Sequence, residues 1–324
     1  MAKEKIAGNI LKAMADLEKR YGEKVVMKMT DSNTDAETFS SGRPDLDIAL
    51  GGGWAVGKII EIFAQSGCGK TGLVLEAINE VQKMGGIAAI IDAEHALNKH
   101  YCEEIGVDVD ALFISQPSTG EQAIETLKAL INTGEVDLIV VDSVAALTPK
   151  AIIEAEAGES KMAALARLMS QAMQMIKGTA SVSGCTVIFT NQIRKTMAMY
   201  GPSEDVTGGM SLKFYATQRV EIKNKGQIKE GDEVIGFKQK MTVVKNKIAP
   251  PFKEVENDII FGKGVDDLTG LVSALVFEGV LEKRGAWFAY KGTNIAQGVA
   301  KLRVVLEDNP DLTDELREKL KSIK

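Results

Sequence analysis

The chain is 324 residues long, 45% hydrophobic and 26% charged, the ordinary balance of a soluble globular protein with one large domain and appendages, or two domains. No apolar run reaches the ~18–20 residues that span a bilayer, and the start, MAKEKIAGNILKAMADLEKRYGEK, mixes acids and bases without a cleavage-type segment; a cytoplasmic location with no membrane partner is expected. The net charge of -6, from 39 basic and 45 acidic residues, repels a polyanion overall, so nucleic-acid contact has to be local, in a groove of Lys and Arg acting within ~10 Å.

Residues 3 to 21 place Ile6, Ile10, Met14, Leu17 and Tyr21 on one face of a helix. A β-like run, Val25 to Met29, and the polar DSNTDAET follow it. This segment is too small to fold alone; packing on the chain's own core and docking as an arm on another copy both satisfy its apolar stripe. From Lys58 to Asp142 apolar strands alternate with helices: KIIEIF, a helix from Lys70, GIAAIID, a helix near Ala93 to Glu104, a helix from Glu121, then VDLIVVD. Continuous apolar strands separated by helices indicate a parallel sheet covered on both faces, with ligands at the carboxyl ends of the strands. The pattern continues through a Met-rich helix (Lys161 to Lys177) and the strands TVIFTNQ, RVEIKNKG and QKMTVVKNK. Beyond Val265 a helix, a short hairpin (AWFAYKG) and a charged terminal helix are expected. The fold class is α/β, a twisted, mostly parallel sheet flanked by helices. Residues 1–33 form an N-terminal helix and strand, 34–266 the core and 267–324 a small α+β C-terminal domain. The three cysteines, Cys68, Cys102 and Cys185, lack metal-ligand spacing and read as buried thiols.

The segment AQSGCGKT, Ala64 to Thr71, lies directly between the strand IIEIF and the helical TGLVLEAINEVQKM. Holding a triphosphate requires glycines so that backbone N–H groups can close around phosphate oxygens, a Lys for the outer phosphates and a hydroxyl for Mg²⁺. Gly67, Gly69, Lys70 and Thr71 supply these, with Ser66, Cys68 and Gly72 completing the loop and the first helical turn, and the helix N-terminus adds its dipole. The usual first Gly is Ala64 here. ATP and Mg²⁺ are the expected ligands. Asp142, closing the apolar run LIVV, is the strand-end acid expected to orient the Mg²⁺ shell. Asp92 and Glu94 both lie at the end of IIDAEHA, where a carboxylate would polarise the attacking water; strand periodicity puts them on one side and does not choose between them.

The strings IIDAEHALNKHY, VDLIVVDSVAALTPKAIIEAE, LARLMSQAM, FTNQIR, TGGMSLKFYATQR and VVKNKIAPPFK, in this order, resemble the bacterial RecA recombinase family over nearly the whole chain. The resemblance implies a RecA-type P-loop ATPase core and an N-terminal oligomerisation segment. It also implies an ATP-dependent helical filament on single-stranded DNA that searches duplex DNA for homology, exchanges strands with DNA-stimulated hydrolysis, and promotes self-cleavage of an SOS-type repressor. Position by position, Glu94 matches the catalytic glutamate, Tyr101 the aromatic stacked on adenine with Asn98 and Phe261 near the base, and Gln192 the glutamine that senses the γ-phosphate. Lys245 and Lys247 match a pair that reaches the ATP of the adjacent subunit, and Phe214, Lys213 and Arg219 fall at the subunit interface.

The resemblance also implies two loops along a DNA channel: roughly Glu156 to Met162, with Arg167 on the helix after it, and Arg194 to Gly209. Gly208, Gly209, Met210 and Ser211 would bring backbone amides to phosphates, Arg194, Lys195 and Lys213 add cations, and Met162 and Met197 are wedges between bases. Met169 and Met173 are assigned to core packing. Departures from the family pattern are Asn98 for Asp, Gln174 for a basic residue and Phe261 for Tyr; the sequence ends at Lys324 without a long acidic tail, which implies looser control of access to duplex DNA. A soluble kinase or nucleotide switch uses the same kind of phosphate loop but has no reason to possess the Gly208-Gly209 segment or the Arg194 loop. A ring ATPase related to helicases is distinguished by closed rings in place of a DNA filament.

Overall fold

The computed structural model describes residues 2–22, 26, 36–154, 161–195, 204–262, 264–265 and 267–323. It contains two compact units, Met1–Glu37 and Thr38–Lys324. The first holds helix α1 (Ala2–Tyr21), on which Ile10, Leu11 and Tyr21 are exposed. Of the expected strand Val25 to Met29, all but Val26 lies outside the described residues.

In the second unit, β1 (Thr38–Phe39) and β2 (Trp54–Ala55) pair antiparallel around α2 (Pro44–Leu50). Helix α2 opens on Pro44, where a missing N–H costs nothing, and closes on the left-handed Gly51. Strands and helices then alternate: β3 (Ile59–Ala64), α3 (Lys70–Lys83), β4 (Ala88–Asp92), α4 (Lys99–Ile105), β5 (Phe113–Ser115), α5 (Gly120–Thr133) and β6 (Leu138–Asp142). After α6 (Lys150–Glu154) come α7 (Lys161–Ser183), β7 (Thr186–Lys195), β8 (Glu204–Val206) and α8 (Ser211–Tyr215). Strands β9 (Gln218–Glu230), β10 (Glu233–Asn246), β11 (Glu254–Ile260) and β12 (Gly264–Val265) complete the sheet. Its order is β12-β11-β10-β9-β3-β7-β6-β4-β5, with β8 on β7.

The expected parallel arrangement holds from β9 to β5, whereas β10, β11, β12 and β8 run antiparallel to their neighbours, so the whole is a mixed sheet. Strands β3, β4 and β6 are buried at every residue. Because successive side chains point to opposite faces, Ile60, Ile62, Ile90 and Val140 join α3 in one core, while Ile59, Ile91, Ile139 and Val141 join α5 and α7 in the other. Met169 and Met173 lie in the second core, as expected.

Three expected elements differ. The helix near Ala93 to Glu104 begins only at Lys99, because the Asp92 carboxylate ties the Ala96 and Leu97 amides into a turn. The Met-rich helix runs on to Ser183. The terminal hairpin is the middle of a three-stranded antiparallel sheet, β13 (Glu282–Arg284), β14 (Trp287–Tyr290) and β15 (Thr293–Gln297), which packs with α9 (Asp267–Phe277), α10 (Val299–Asp308) and α11 (Pro310–Ile323) around Leu275, Phe288, Leu302 and Leu316. Ile48 of α2 shares this third core, which joins the C-terminal elements to the large sheet's neighbourhood.

Candidate functional site

The parallel register brings the ends of four strands together: Ala64 of β3 lies opposite Gln192 of β7, and Asp92 of β4 opposite Asp142 of β6. The loop after β3 turns through Gly67 and Gly69, whose φ values of 72° and 83° are left-handed and favour glycine. Gly69 is the N-cap of α3 and brings no capping side chain, so the first N–H groups of the helix are left for an anion. Ser66 is exposed, and Cys68 is buried with its thiol turned to the Ser66 carbonyl. The phenol oxygen of Tyr101 lies against Gly72, where a Cβ would stand only 2.8 Å from it.

Lys70, 8% exposed, donates from Nζ to the Gln65 carbonyl at 3.1 Å. Burial pushes its pKa down, opposed chiefly by Asp142. Thr71 Oγ1 donates to Asp142 Oδ2 at 2.9 Å, and Thr190 Oγ1 donates to Asp142 Oδ1. Burial pushes the Asp142 carboxyl above its ordinary range, against the pull of these two hydrogen bonds. Burial thus disfavours the charged form of both groups, and their mutual attraction opposes it. The Thr71 hydroxyl and the Asp142 carboxylate are hard oxygen donors, which suits Mg²⁺, an ion that keeps several waters and takes few protein ligands.

Asp92 and Glu94 separate sharply in their surroundings. Asp92 is buried and spent on structure: it accepts from Ala96 N, Leu97 N and, at 3.0 Å, from Gln116 Nε2. Glu94 is exposed toward the cradle, and its Oε1 accepts from Ser143 Oγ at 2.6 Å and from Gln192 Nε2 at 3.1 Å. Ser143 directly follows the strand-end acid, Thr190 lies on the neighbouring strand, and sequence reading singled out neither. Position after the acid was the available signal for Ser143; Thr190 gave none.

A cavity of about 560 Å³ runs from Gly67 and Gly69 along α3 to Tyr101 and Phe261. Phe261 leans on Phe237, ring centroids 6.2 Å apart, and leaves its other face open. Asn98 caps α4, its side-chain oxygen accepting from Tyr101 N at 3.2 Å.

Lys245 and Lys247 do not join this cluster within the chain. Lys245 Nζ donates to the carbonyls of Lys213 and Phe214 at 2.9 Å each, and Lys247 follows the end of β10 with its side chain exposed. Burial, then Lys247 and Arg219, lower the Lys245 pKa. Phe214 is 66% exposed, which excludes core packing, and Lys213 beside it is exposed. Arg219, expected at an interface, is 6% exposed, with Nε on Glu61 and its guanidinium 4.5 Å from the Phe63 ring centre. Its charge is satisfied inside the chain, so any interface effect runs through the residues it supports.

Of the residues expected along DNA, Met162 is 74% exposed at the start of α7, Arg167 is exposed farther along it, and Arg194 is exposed on β7. Lys195 ends β7; Met197 and most of the first loop lie outside the described residues. Gly208 and Gly209 have φ of 89° and 76°, and a Cβ at either would come within 2.9 Å of Val144 or Ala166. Close packing on the turn after β6 and on α7 therefore favours glycine at both positions whatever else they do. Met210 is exposed before α8, and Ser211 Oγ is buried with no hydrogen-bond partner among the described residues.

A family model described as the RecA N-terminal domain matches residues 8–266, and one described as the RecA C-terminal domain matches residues 271–323. Protein RecA of Acinetobacter baylyi is 50% identical over 307 residues, covering 94% of this chain and 88% of the relative. Protein RecA of Corynebacterium glutamicum strain R is 47% identical over 311 residues, 95% of this chain and 83% of the relative. With a geometry that gathers a glycine loop, a strand-end acid and a hydrogen-bonded glutamate at the carboxyl ends of the central strands, and with matches of this extent, the chain belongs to the RecA family.

Proposed function

We propose that the chain is a recombination and DNA-repair protein, a DNA-dependent ATPase that assembles with its own copies on single-stranded DNA, pairs it with homologous duplex and exchanges strands. One observation carries the reading furthest: Gln192 donates to Glu94 at 3.1 Å from the same strand, β7, that runs on to Arg194 and Lys195. The glutamine that holds the hydrolytic carboxylate and the DNA-side cations thus share one strand, through which a change in the γ-phosphate can alter the hold on DNA.

In this reading the N–H groups of residues 66–72 hold the phosphates of ATP and Lys70 reaches the outer two. Thr71, with Asp142 behind it, would hold Mg²⁺, which would supply charge neutralisation for the phosphates. Glu94, steadied by Ser143 and Gln192, positions the attacking water and accepts its proton. Tyr101, Phe261 and Asn98 surround the base. Lys245 and Lys247 serve the nucleotide of the next subunit, and Lys245 exchanges the carbonyls at the end of α8 for phosphate oxygens there. Phe214 and Lys213 dock on that neighbour, and so does the exposed apolar stripe of α1.

Met162, Arg167, Arg194, Lys195, Met197 and the Gly208–Ser211 backbone line the DNA path. Residues 1–33, 34–266 and 267–324 are the oligomerisation, ATPase and C-terminal units. Among the described residues no helix is long and apolar enough to cross a membrane; the setting is the cytoplasm, and a self-cleaving repressor of the SOS type is a partner. The test is ATP hydrolysis at low salt with and without single-stranded DNA. A rate that rises with DNA is expected; a rate indifferent to DNA overturns the reading.

A further inference from the structure

Behind the phosphate loop, a buried polar network joins it to the α2 region, α3, β10 and β11. Arg43, 3% exposed, pairs with Glu76 of α3 through Nε at 2.6 Å and Nη2 at 3.0 Å. Its Nη1 donates to Gln239 Oε1 on β10 and, at 3.4 Å, to Asn257 Oδ1 on β11. Asn257 Nδ2 donates in turn to Asp45 Oδ2 at 2.8 Å. Gln239, fully buried, donates from Nε2 to the Cys68 carbonyl of the phosphate loop at 2.6 Å.

The chemistry of the two side chains dictates the direction of this chain of bonds. A guanidinium has donors only, so Gln239 must turn its oxygen to Arg43 and its NH₂ to Cys68. In a trans peptide the C=O and N–H point to opposite sides. Holding the Cys68 carbonyl toward Gln239 therefore turns the Gly69 N–H away from it, to the side where the loop closes on phosphate. The approach is close: a Cβ on Gly69 would stand 2.6 Å from Gln239 Nε2 and would push that amide aside.

We propose that Gln239 and Arg43 are positioning residues for the phosphate loop, presetting the Gly69 N–H for a nucleotide phosphate before it arrives. A donor fixed in advance spends no binding energy on ordering the loop. The proposal rests on reading Ala64 to Thr71 as a nucleotide cradle, and the experiment separates the two. Binding of a fluorescent, slowly hydrolysed ATP analogue is measured for the full-length protein, Gln239→Glu, Arg43→Gln and Lys70→Ala, each with a thermal melt.

Gln239→Glu keeps the pairing with Arg43 but sets a carboxylate oxygen against the Cys68 carbonyl, so Kd is expected to rise about tenfold or more. Arg43→Gln frees the Gln239 amide to flip and is expected to cost about threefold. A merely structural role lowers the melting temperature and leaves Kd alone. Folded Gln239→Glu binding within about twofold of the parent overturns the proposal. If Gln239→Glu does not fold, Gln239→Met, of similar length and without the donor, is judged by the same criterion. A parent that binds no better than Lys70→Ala defeats the cradle itself, whereas a parent that outbinds Lys70→Ala but equals Gln239→Glu defeats only the brace.

Discussion

The cradle after β3 and the face around α8 both present a lysine, and they differ in how far one chain completes them. Lys70 is buried, with Thr71 beside it on α3, Asp142 at the end of β6 and Glu94 just past β4 held in place by hydrogen bonds. Lys245 borrows the last carbonyls of a five-residue helix, beside an exposed Phe214. The first region is built by packing of the chain on itself; the second presents cations and apolar surface that await something outside. A nucleotide set between two such regions can act as an assembly signal.

The largest expected effect breaks the first region: Lys70→Ala should abolish nucleotide-dependent assembly on DNA, read by sedimentation with an ATP analogue. Glu94→Gln should keep nucleotide binding while steady-state hydrolysis falls by about 10²-fold, the scale of lost general-base function. Normal hydrolysis in that variant would return Asp92 to consideration. Asp92→Asn sharpens the contrast, since an amide offers a donor where the carboxylate accepts from two amides and Gln116. It should lower stability by about 1–2 kcal/mol in denaturant melts and affect hydrolysis less than Glu94→Gln does.

The second region is tested by mixing. Lys245→Ala should lose only about 0.5–1 kcal/mol of stability, the worth of exposed helix-end hydrogen bonds, yet hydrolyse poorly on DNA. Combined in equal amounts with Lys70→Ala, it should regain roughly a quarter of the parent rate, because random neighbours then form sites with both lysines intact. No recovery on mixing would mean that each chain supplies both lysines to its own site.

The last measurement is a control on the closed core, away from both regions. Burial raises the Cys185 thiol from the usual 9.0 to about 12. The folded state therefore holds its proton where the unfolded chain has released it, and stability drains away as pH climbs from 9 toward 12, by up to about 1.4 kcal/mol per unit. Cys185→Ala should lose that part of the slope in melts compared across this range.

Much of the site was legible because its parts are local. The loop Ala64 to Thr71 with a strand before it and a helix after it is one short string, and Asp142 closes an apolar run that can hardly be anything but a buried strand. The RecA resemblance rested on longer strings of the same kind. Residues whose roles depend on distant partners were not legible. Asp92 and Glu94 share a side of the strand end; the nearby Ala96 and Leu97 amides, with Gln116, tie down Asp92, while Ser143 and Gln192, brought from two other segments, hold Glu94 as the exposed acid beside the loop. Gly208 and Gly209 are favoured by contact with Val144 and Ala166, which no local pattern contains.

The amino-acid sequence alone determined the α/β class, the glycine loop between a strand and a helix, and the acid at a strand end, because period-two and helical patterns and a contiguous glycine motif act over a few residues. Tertiary structure decided that β10 to β12 extend the sheet antiparallel beyond β9, that Arg219 is in an internal ion pair, and that Gln239 donates to the Cys68 carbonyl. These depend on register and on which buried polar groups find partners, and burial makes an unpaired one too costly to keep.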